Sequence, residues 1–250
     1  MNGYRIIDCH CHIGDYFNFH IPANNAEGMI KTMDTSGIDI ACIAAHMALV
    51  SDPNKGNDIV YDAVERFPDR FRGYITVNPH FPEDTRRDME KAFHRKGIIG
   101  IKIHTVTHRT GILHPGYTEA YEAVNGAGKL ILIHTDTMET LKAVEVLSER
   151  YPRAAFLLGH FGGTVDLMKV AMEITRNRDN VYGDTATSLV REANVRWFHG
   201  STREGRLLYG SDMPFFDPRP TLGRILYEDI PDEAKADILG NNMESLIRGF

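Results

Sequence analysis

Cysteine is scarce in this sequence, which has only Cys9, Cys11 and Cys42 among 250 residues. Three is an odd number, and the spacing does not match a disulfide framework. Disulfides are rare in proteins of the reducing cytoplasm. We therefore expect free cysteines and a cytoplasmic protein.

Long apolar runs are missing as well. No run approaches the roughly 20 consecutive apolar residues that a membrane-spanning helix needs. The first residues also lack the charged segment followed by an apolar segment that is typical of an export signal. The sequence therefore predicts neither membrane insertion nor export.

Positive charge is not concentrated anywhere. The chain has 28 Lys and Arg against 34 Asp and Glu, which gives a formal net charge of -6. No segment carries the basic cluster that is typical of nucleic-acid binding. Apolar residues make up 42% of the chain, an ordinary value for a folded globular protein. We expect a small-molecule substrate as partner, and neither nucleic acid nor a membrane. The composition is compatible with a homo-oligomer as well as with a monomer.

Short strand-like segments alternate with amphipathic helix-like segments along the whole chain, which is typical of βα units around a parallel sheet. The predicted strands are Tyr4–His12, Ile38–His46, Phe71–Val77, Gly97–His104, Lys129–His134, Ala154–His160, Val181–Thr185 and Arg206–Ser211. A length of 250 residues is typical of one (β/α)8 barrel. We predict an α/β protein in which residues 1–250 form a single (β/α)8 TIM barrel domain with short C-terminal helices.

The first predicted strand contains two histidines separated by one residue. Because side chains alternate between the faces of a strand, His10 and His12 point the same way, with Asp8 one layer deeper. By the same alternation, Cys9 and Cys11 point towards the helices. Two converging imidazoles suit zinc, iron, nickel or copper. A chance pair of polar residues at a strand end is the alternative.

The twelve histidines are unevenly distributed. Those at or just beyond the ends of the first six predicted strands are His10, His12, His46, His80, His104, His134 and His160. The active site of a (β/α)8 barrel is built at this C-terminal end of the strands, whereas histidines without a shared role would be scattered. Asp212 follows the eighth strand directly and adds a carboxylate that suits a metal site.

Eight short motifs follow one another in a recognisable order. They are residues 7–12 (IDCHCH), 36–39 (SGID), 68–73 (PDRFRG), 100–104 (GIKIH), 133–135 (IHT), 159–163 (GHFGG), 209–214 (YGSDMP) and 238–242 (ILGNN). In these motifs the chain resembles the amidohydrolase superfamily. The resemblance is to the amidohydrolase-related branch, which includes aminocarboxymuconate-semialdehyde decarboxylase and similar nonoxidative decarboxylases.

This resemblance implies one divalent metal ion per barrel, most often zinc. The ligands that it implies are His10, His12, His134 and Asp212. It also implies that His160 is the acid/base or carbonyl-polarising residue. Binuclear members use a carboxylated lysine after strand four, but Lys102 lies inside that strand, so we expect one metal ion.

Other residues are predicted to contact the substrate. They are Lys102, His104, Arg109, Phe161 and Phe215. Arg109 and Arg219 lie on loops and could hold a carboxylate through two hydrogen bonds, although arginines on loops are commonly exposed to solvent. The aromatic residues that flank strands one and eight could form the wall of a pocket or pack in the core. They are Tyr16, Phe17, Phe19, Phe215 and Phe216.

The function that these residues predict is metal-assisted hydrolysis of a small amide, lactone or ester. A divalent ion lowers the pKa of bound water from about 15.7 towards 7. Asp212 would relay the proton, and His160 would stabilise the developing oxyanion. One alternative is metal-dependent nonoxidative decarboxylation of a small unsaturated or aromatic carboxylic acid, for which Arg109 and Arg219 are the candidate cations. A second alternative is a metal-binding barrel without catalysis.

Overall fold

A computed structural model describes residues 3–18, 20–186, 194–248 and 250. Its strands form one parallel sheet in which each strand pairs with the next along the chain. They are β1 (Ile7–Ile13), β2 (Ile40–Ala45), β3 (Phe71–Thr76), β4 (Ile98–Ile103), β5 (Leu130–His134), β6 (Ala155–Gly159), β7 (Val181–Asp184) and β8 (Leu207–Leu208). The predicted (β/α)8 barrel is thereby confirmed.

Helices surround this sheet. They are α1 (Ala26–Ser36), α2 (His46–Val50), α3 (Pro53–Arg66), α4 (Pro82–Ala92), α5 (Thr105–His108), α6 (Thr118–Ala127), α7 (Met138–Arg150), α8 (Val165–Asn177), α9 (Asn194–Ser201), α10 (Pro218–Leu226), α11 (Asp232–Ala236) and α12 (Asn242–Ile247). The one-turn helices α2 and α5 were not expected from the sequence. The sequence also predicts a helix over residues 188–198; Phe19 and residues 188–193 of that helix lie outside the described residues. No described helix has both the length and the apolar character to cross a membrane.

Local signals set the helix ends. The side chain of Asn25 accepts a hydrogen bond from the Gly28 N–H at 2.8 Å and so satisfies one free donor at the start of α1. Gly37 follows the same helix with φ of 76°, a left-handed conformation that glycine adopts without steric cost. The chain then turns directly into β2, so the side chains at the ends of β1 and β2 become neighbours.

The barrel closes between β1 and the chain after the short β8. The backbone N–H of Asp212 donates to the His10 carbonyl at 2.9 Å, and the His12 N–H donates to the Met213 carbonyl at 2.7 Å. These bonds fix the two histidines of β1 beside Asp212.

The carboxylate of Asp8 reinforces this junction. It accepts hydrogen bonds from the backbone N–H of Ser211 at 3.0 Å and from the Ser211 hydroxyl. It also accepts from the His10 backbone N–H at 3.2 Å. Burial raises the pKa of Asp8 to about 6, an effect that these hydrogen bonds partly offset. Asp8 therefore holds the backbone of β1 at His10 and the backbone after β8 next to Asp212.

Strict alternation fails in the middle of β1. The pairing of β1 with β2 shifts register between Asp8 and Cys11, and such an irregularity re-aims side chains. Cys9 therefore packs in the inner cluster with Tyr74 and Leu132, while Cys11 packs in the outer cluster with the helix residues. The expectation that both cysteines face the helices is wrong for Cys9.

Candidate metal centre and adjoining pocket

His10 lies at the centre of the histidine cluster and is fully buried. Its Nδ1 is 2.7 Å from Asp184 Oδ2, and its Nε2 is 2.9 Å from the Lys102 Nζ. An ammonium group only donates, so Nε2 carries a lone pair and Nδ1 carries the proton. A carboxylate behind a histidine fixes the ring and makes the opposite nitrogen a better ligand.

Asp184, the last residue of β7, was not among the residues predicted for the site. Its second oxygen accepts the backbone N–H groups of His160 at 2.8 Å and Ala186 at 3.1 Å. Burial raises the pKa of Asp184 to about 7. The sequence does contain a signal for Asp184: like the histidines, it is a polar residue at the end of a buried strand.

His10, His12 and Asp212 form the candidate metal centre. All three are buried, and one potential ligand atom from each lies within 4.8 Å of the other two. The His12 Nε2 is 3.2 Å from Asp212 Oδ1, and the His10 Nε2 is 3.7 Å from the same oxygen. Burial raises the pKa of Asp212 and lowers the pKa of both histidines. Two imidazoles and a carboxylate fit one divalent ion, which would replace the Lys102 ammonium at the His10 Nε2.

Backbone conformation helps to place these groups. His160, Phe161 and Asp212 all have positive φ, at 68°, 48° and 65°. This region costs a residue with a side chain roughly 1–2 kcal/mol. Such conformations persist where the surrounding structure fixes them, and they cluster at functional sites.

His160 begins the turn after β6 and borders the same space. Its Nδ1 contacts the carbonyl oxygen of Ala186. Because a carbonyl only accepts, Nδ1 carries the proton and Nε2 presents a lone pair. Burial lowers the pKa of His160 to about 4. At neutral pH its free nitrogen is therefore an acceptor, which suits a base and does not suit the predicted donation to an oxyanion.

His134, the fourth predicted ligand, stands apart from the other three. Its ring stacks on His104, with 4.1 Å between ring centroids, and lies 4.5 Å from the His160 ring. Its Nε2 is 3.7 Å from Asp136 Oδ2. His134 therefore borders the centre without belonging to the compact three-residue group.

A pocket of about 430 Å³ opens above the candidate metal centre. Its lining residues are His12, Tyr16, His46, Leu49, His104, Val106, His134, Thr135, Asp136, His160, Gly163, Asp212, Phe215 and Phe216. The Tyr16 and Phe215 rings meet edge to face at 5.0 Å, and His46 contacts both. One wall is thus aromatic, and the floor holds the metal centre.

The predicted substrate-binding residues are distributed unevenly around this pocket. His104 and Phe215 line it. Lys102 is fully buried beneath it against His10, and burial lowers the pKa of Lys102 to about 8. Arg109 is exposed and is not one of the described residues that line the pocket. Arg219 is 64% exposed at its side chain and is paired with Asp217.

Phe161 is a core residue rather than a lining residue. It is fully buried, and its ring lies 4.8 Å from the ring of Phe198. A side chain on Gly183 would place its Cβ 1.9 Å from the Phe161 ring, so the absence of one makes room for this packing. The left-handed turn at His160 and Phe161 directs the two neighbouring side chains to different surroundings.

Comparison with known proteins gave a family match and several similar structures. The family model described as amidohydrolase matches residues 7–248. No curated protein sequence matches the chain. A 5-carboxyvanillate decarboxylase from Novosphingobium aromaticivorans, solved with manganese and 4-hydroxy-3-methoxy-5-nitrobenzoic acid, is similar with a TM-score of 0.80 and 18% identity. That similarity covers 98% of this chain and 96% of the other.

Two further structures show the same fold. A 5-carboxyvanillate decarboxylase from Sphingomonas paucimobilis has a TM-score of 0.78 at 17% identity, covering 98% of this chain and 99% of that chain. A 2,6-dihydroxybenzoate decarboxylase from Rhizobium has a TM-score of 0.73 at 16% identity, covering 99% of both chains. At such low identity these similarities establish the shared barrel.

Proposed function

Because the chain belongs to the amidohydrolase family, we propose that this metal-dependent enzyme is a nonoxidative decarboxylase of a small aromatic or unsaturated carboxylic acid. The observation that carries the proposal is the aromatic wall beside the candidate metal centre. Tyr16 and Phe215 meet the ring of His46 at 5.2 and 5.4 Å. Flat apolar surfaces at this position suit a planar, conjugated substrate.

The similar structures support this reaction over the hydrolysis that the sequence favoured. The three described above are decarboxylases of aromatic acids, and one was solved with manganese and a nitrobenzoic acid. Their likeness extends over almost the whole chain. The aromatic pocket carries the proposed reaction, and the similar structures support it.

The proposed metal ligands are His10, His12 and Asp212, with His134 as the fourth. When bound, a divalent ion would act as a Lewis acid towards substrate oxygens. Zinc is the ion expected from the sequence, and manganese is the ion in the Novosphingobium structure. A site of two imidazoles and a carboxylate accepts either, so both ions are to be tested.

The protein's own groups account for the proton that the reaction needs. Loss of CO2 leaves the electrons of the broken C–C bond on the substrate carbon, which must then take up one proton. Asp212 is the proposed donor, since its carboxylate lines the pocket and can pass a proton to the substrate carbon. It would regain a proton from solvent. Lys102, the buried cation beneath the centre, offsets the negative charge of the substrate carboxylate.

Hydrolysis remains a second candidate because two observations favour it. His160 presents a lone pair at neutral pH, as a base that activates water requires. In addition, no arginine is among the described residues that line the pocket, so the guanidinium clamp expected for a decarboxylase is not seen there.

The test is a paired screen of protein loaded with zinc or manganese. One panel holds aromatic and dienoic acids and is followed by CO2 release, and the other holds lactones, amides and esters and is followed by acid release. We expect CO2 release that disappears after chelation and in a His12→Ala variant. Hydrolysis alone would replace the proposal with the second candidate. No reaction on either panel would favour a barrel without catalysis.

A further inference from the structure

His46, the first residue of α2, has one nitrogen that is committed and one that is not. Its Nδ1 lies 3.0 Å from the carbonyl oxygen of Gly14. A carbonyl only accepts, so Nδ1 carries the proton of the ring. In neutral histidine the other nitrogen, Nε2, is then an acceptor.

The acceptor nitrogen is buried without a partner. His46 is 1% exposed, and its Nε2 has no hydrogen-bond partner among the described residues. Buried polar atoms in folded proteins are nearly always paired, and an unpaired one requires an explanation. A ligand that donates a hydrogen bond would supply the missing partner.

The surroundings of His46 belong to the pocket. One face of its ring stacks on His12 at 4.7 Å with 15° between the planes. Tyr16 and Phe215 contact it edge to face, and His46 itself lines the pocket. The unpaired acceptor therefore lies where the candidate metal centre and the aromatic wall meet.

We propose that His46 is a specificity-determining residue that accepts a hydrogen bond from a hydroxyl group on the substrate ring. This inference rests on the proposed function, since it names a feature of the acid that the pocket binds. A hydroxyl satisfies Nε2, whereas a hydrogen or a methoxy group at the same place leaves it unpaired. Sites that hydrogen-bond a substrate hydroxyl reject analogues that lack it. The carbonyl of Gly14 enforces the preference because it keeps the proton on the opposite nitrogen.

The preference can be measured as binding, without turnover. The ligands are benzoate, its three monohydroxy isomers and the corresponding methoxybenzoates, titrated into zinc-loaded protein by calorimetry. We expect at least one hydroxy isomer to bind roughly tenfold or more tightly than its methoxy counterpart, the scale of one buried hydrogen bond. Equal affinity within every pair would overturn the proposal.

Two variants assign the preference to His46. His46→Phe keeps a ring against His12 but removes the acceptor, so the hydroxy preference should fall to within about twofold of unity. His46→Gln can still accept and should retain part of it. His108→Gln is the matched control, because His108 is also buried with one paired and one unpaired nitrogen, yet lies outside the pocket lining. Loss of the preference in the control as well would contradict a specific role.

A second measurement uses only the wild-type protein, so its result does not depend on whether a variant folds. In wild-type protein labelled with 15N-histidine, NMR should show the proton of the His46 ring on Nδ1 and a lone pair on Nε2. A proton on Nε2 would overturn the proposal. The reaction is read separately: a hydroxy preference without CO2 release would refute the decarboxylase but not His46, and CO2 release without the preference would do the reverse.

Discussion

The two sides of the pocket floor differ in how firmly their histidines are held. On the side of β1 and β8, His10 is fixed from behind by Asp184, and His12 lies 3.2 Å from Asp212. On the side of β4 and β5, His104 and His134 stack on each other, and the nearest carboxylate to the His134 Nε2 is at 3.7 Å. Both sides carry predicted site residues, but their surroundings are different.

The difference indicates that the side of β1 and β8 is already organised without a bound metal ion. Asp8 and Asp184 are both fully buried, and each accepts backbone hydrogen bonds close to the proposed ligands. Holding these carboxylates costs desolvation energy, as their raised pKa values indicate. No equivalent buried carboxylate pairs with His134 among the described residues. We infer that the seam between β1 and β8 is the anchor of metal binding.

The largest effect should come from removing a ligand at this seam. In His12→Ala the ion loses one of three closely spaced ligand atoms, so metal affinity should fall by roughly a hundredfold or more. Wild-type protein should hold close to one ion per chain, measured by elemental analysis after dialysis. His80→Ala, which alters an exposed histidine after β3, is the control and should keep its metal. Full metal content in His12→Ala would contradict the inference that the seam between β1 and β8 anchors metal binding.

His160 lies between the two sides and separates catalysis from metal binding. A His160→Asn variant should keep its metal but lose roughly a hundredfold in the turnover of lactones, amides or esters, because His160 is the proposed base of the hydrolytic reaction. The physical reason is that its lone pair borders the pocket while its proton is committed to Ala186. Steady-state kinetics and metal content are measured on the same preparation. Metal loss in parallel with activity would show instead that His160 is a ligand.

Removing the support behind a ligand should have a smaller effect than removing the ligand. In Asp184→Asn the group facing His10 Nδ1 no longer carries a charge, and metal affinity should fall by about 10- to 100-fold. The measurement is competition with a chelator of known affinity. Asp136→Asn, which alters the carboxylate beside His134, is the matched comparison and should have less effect. An equal loss of metal affinity in both variants would show that the two sides of the pocket floor do not differ in how they support metal binding.

The fold was predictable because its signals are local. Alternating strand and helix patterns gave all eight strands, and the polar residues at strand ends marked the face that carries the pocket. Contacts between distant segments were not predictable in this way. Asp184 acts through a residue 174 positions away in the sequence, and the register shift in β1 depends on pairing with β2. The burial of Phe161 depends on the missing side chain of Gly183.

Substitution of His134 should have the smallest effect on metal binding. It tests most directly whether the two sides of the pocket floor differ. In His134→Asn the ion would keep His10, His12 and Asp212, the group already within 4.8 Å. His134 lies outside that group, stacked on His104 and 3.7 Å from Asp136, so any movement that it needs to reach the ion would reduce its contribution to binding. We therefore expect affinity to fall by roughly tenfold or less, against a hundredfold or more for His12→Ala. Both variants are measured by the same chelator competition. A loss in His134→Asn as large as that in His12→Ala would mean that the two sides bind the ion equally, because β5 would then supply a ligand as firmly placed as those at the seam.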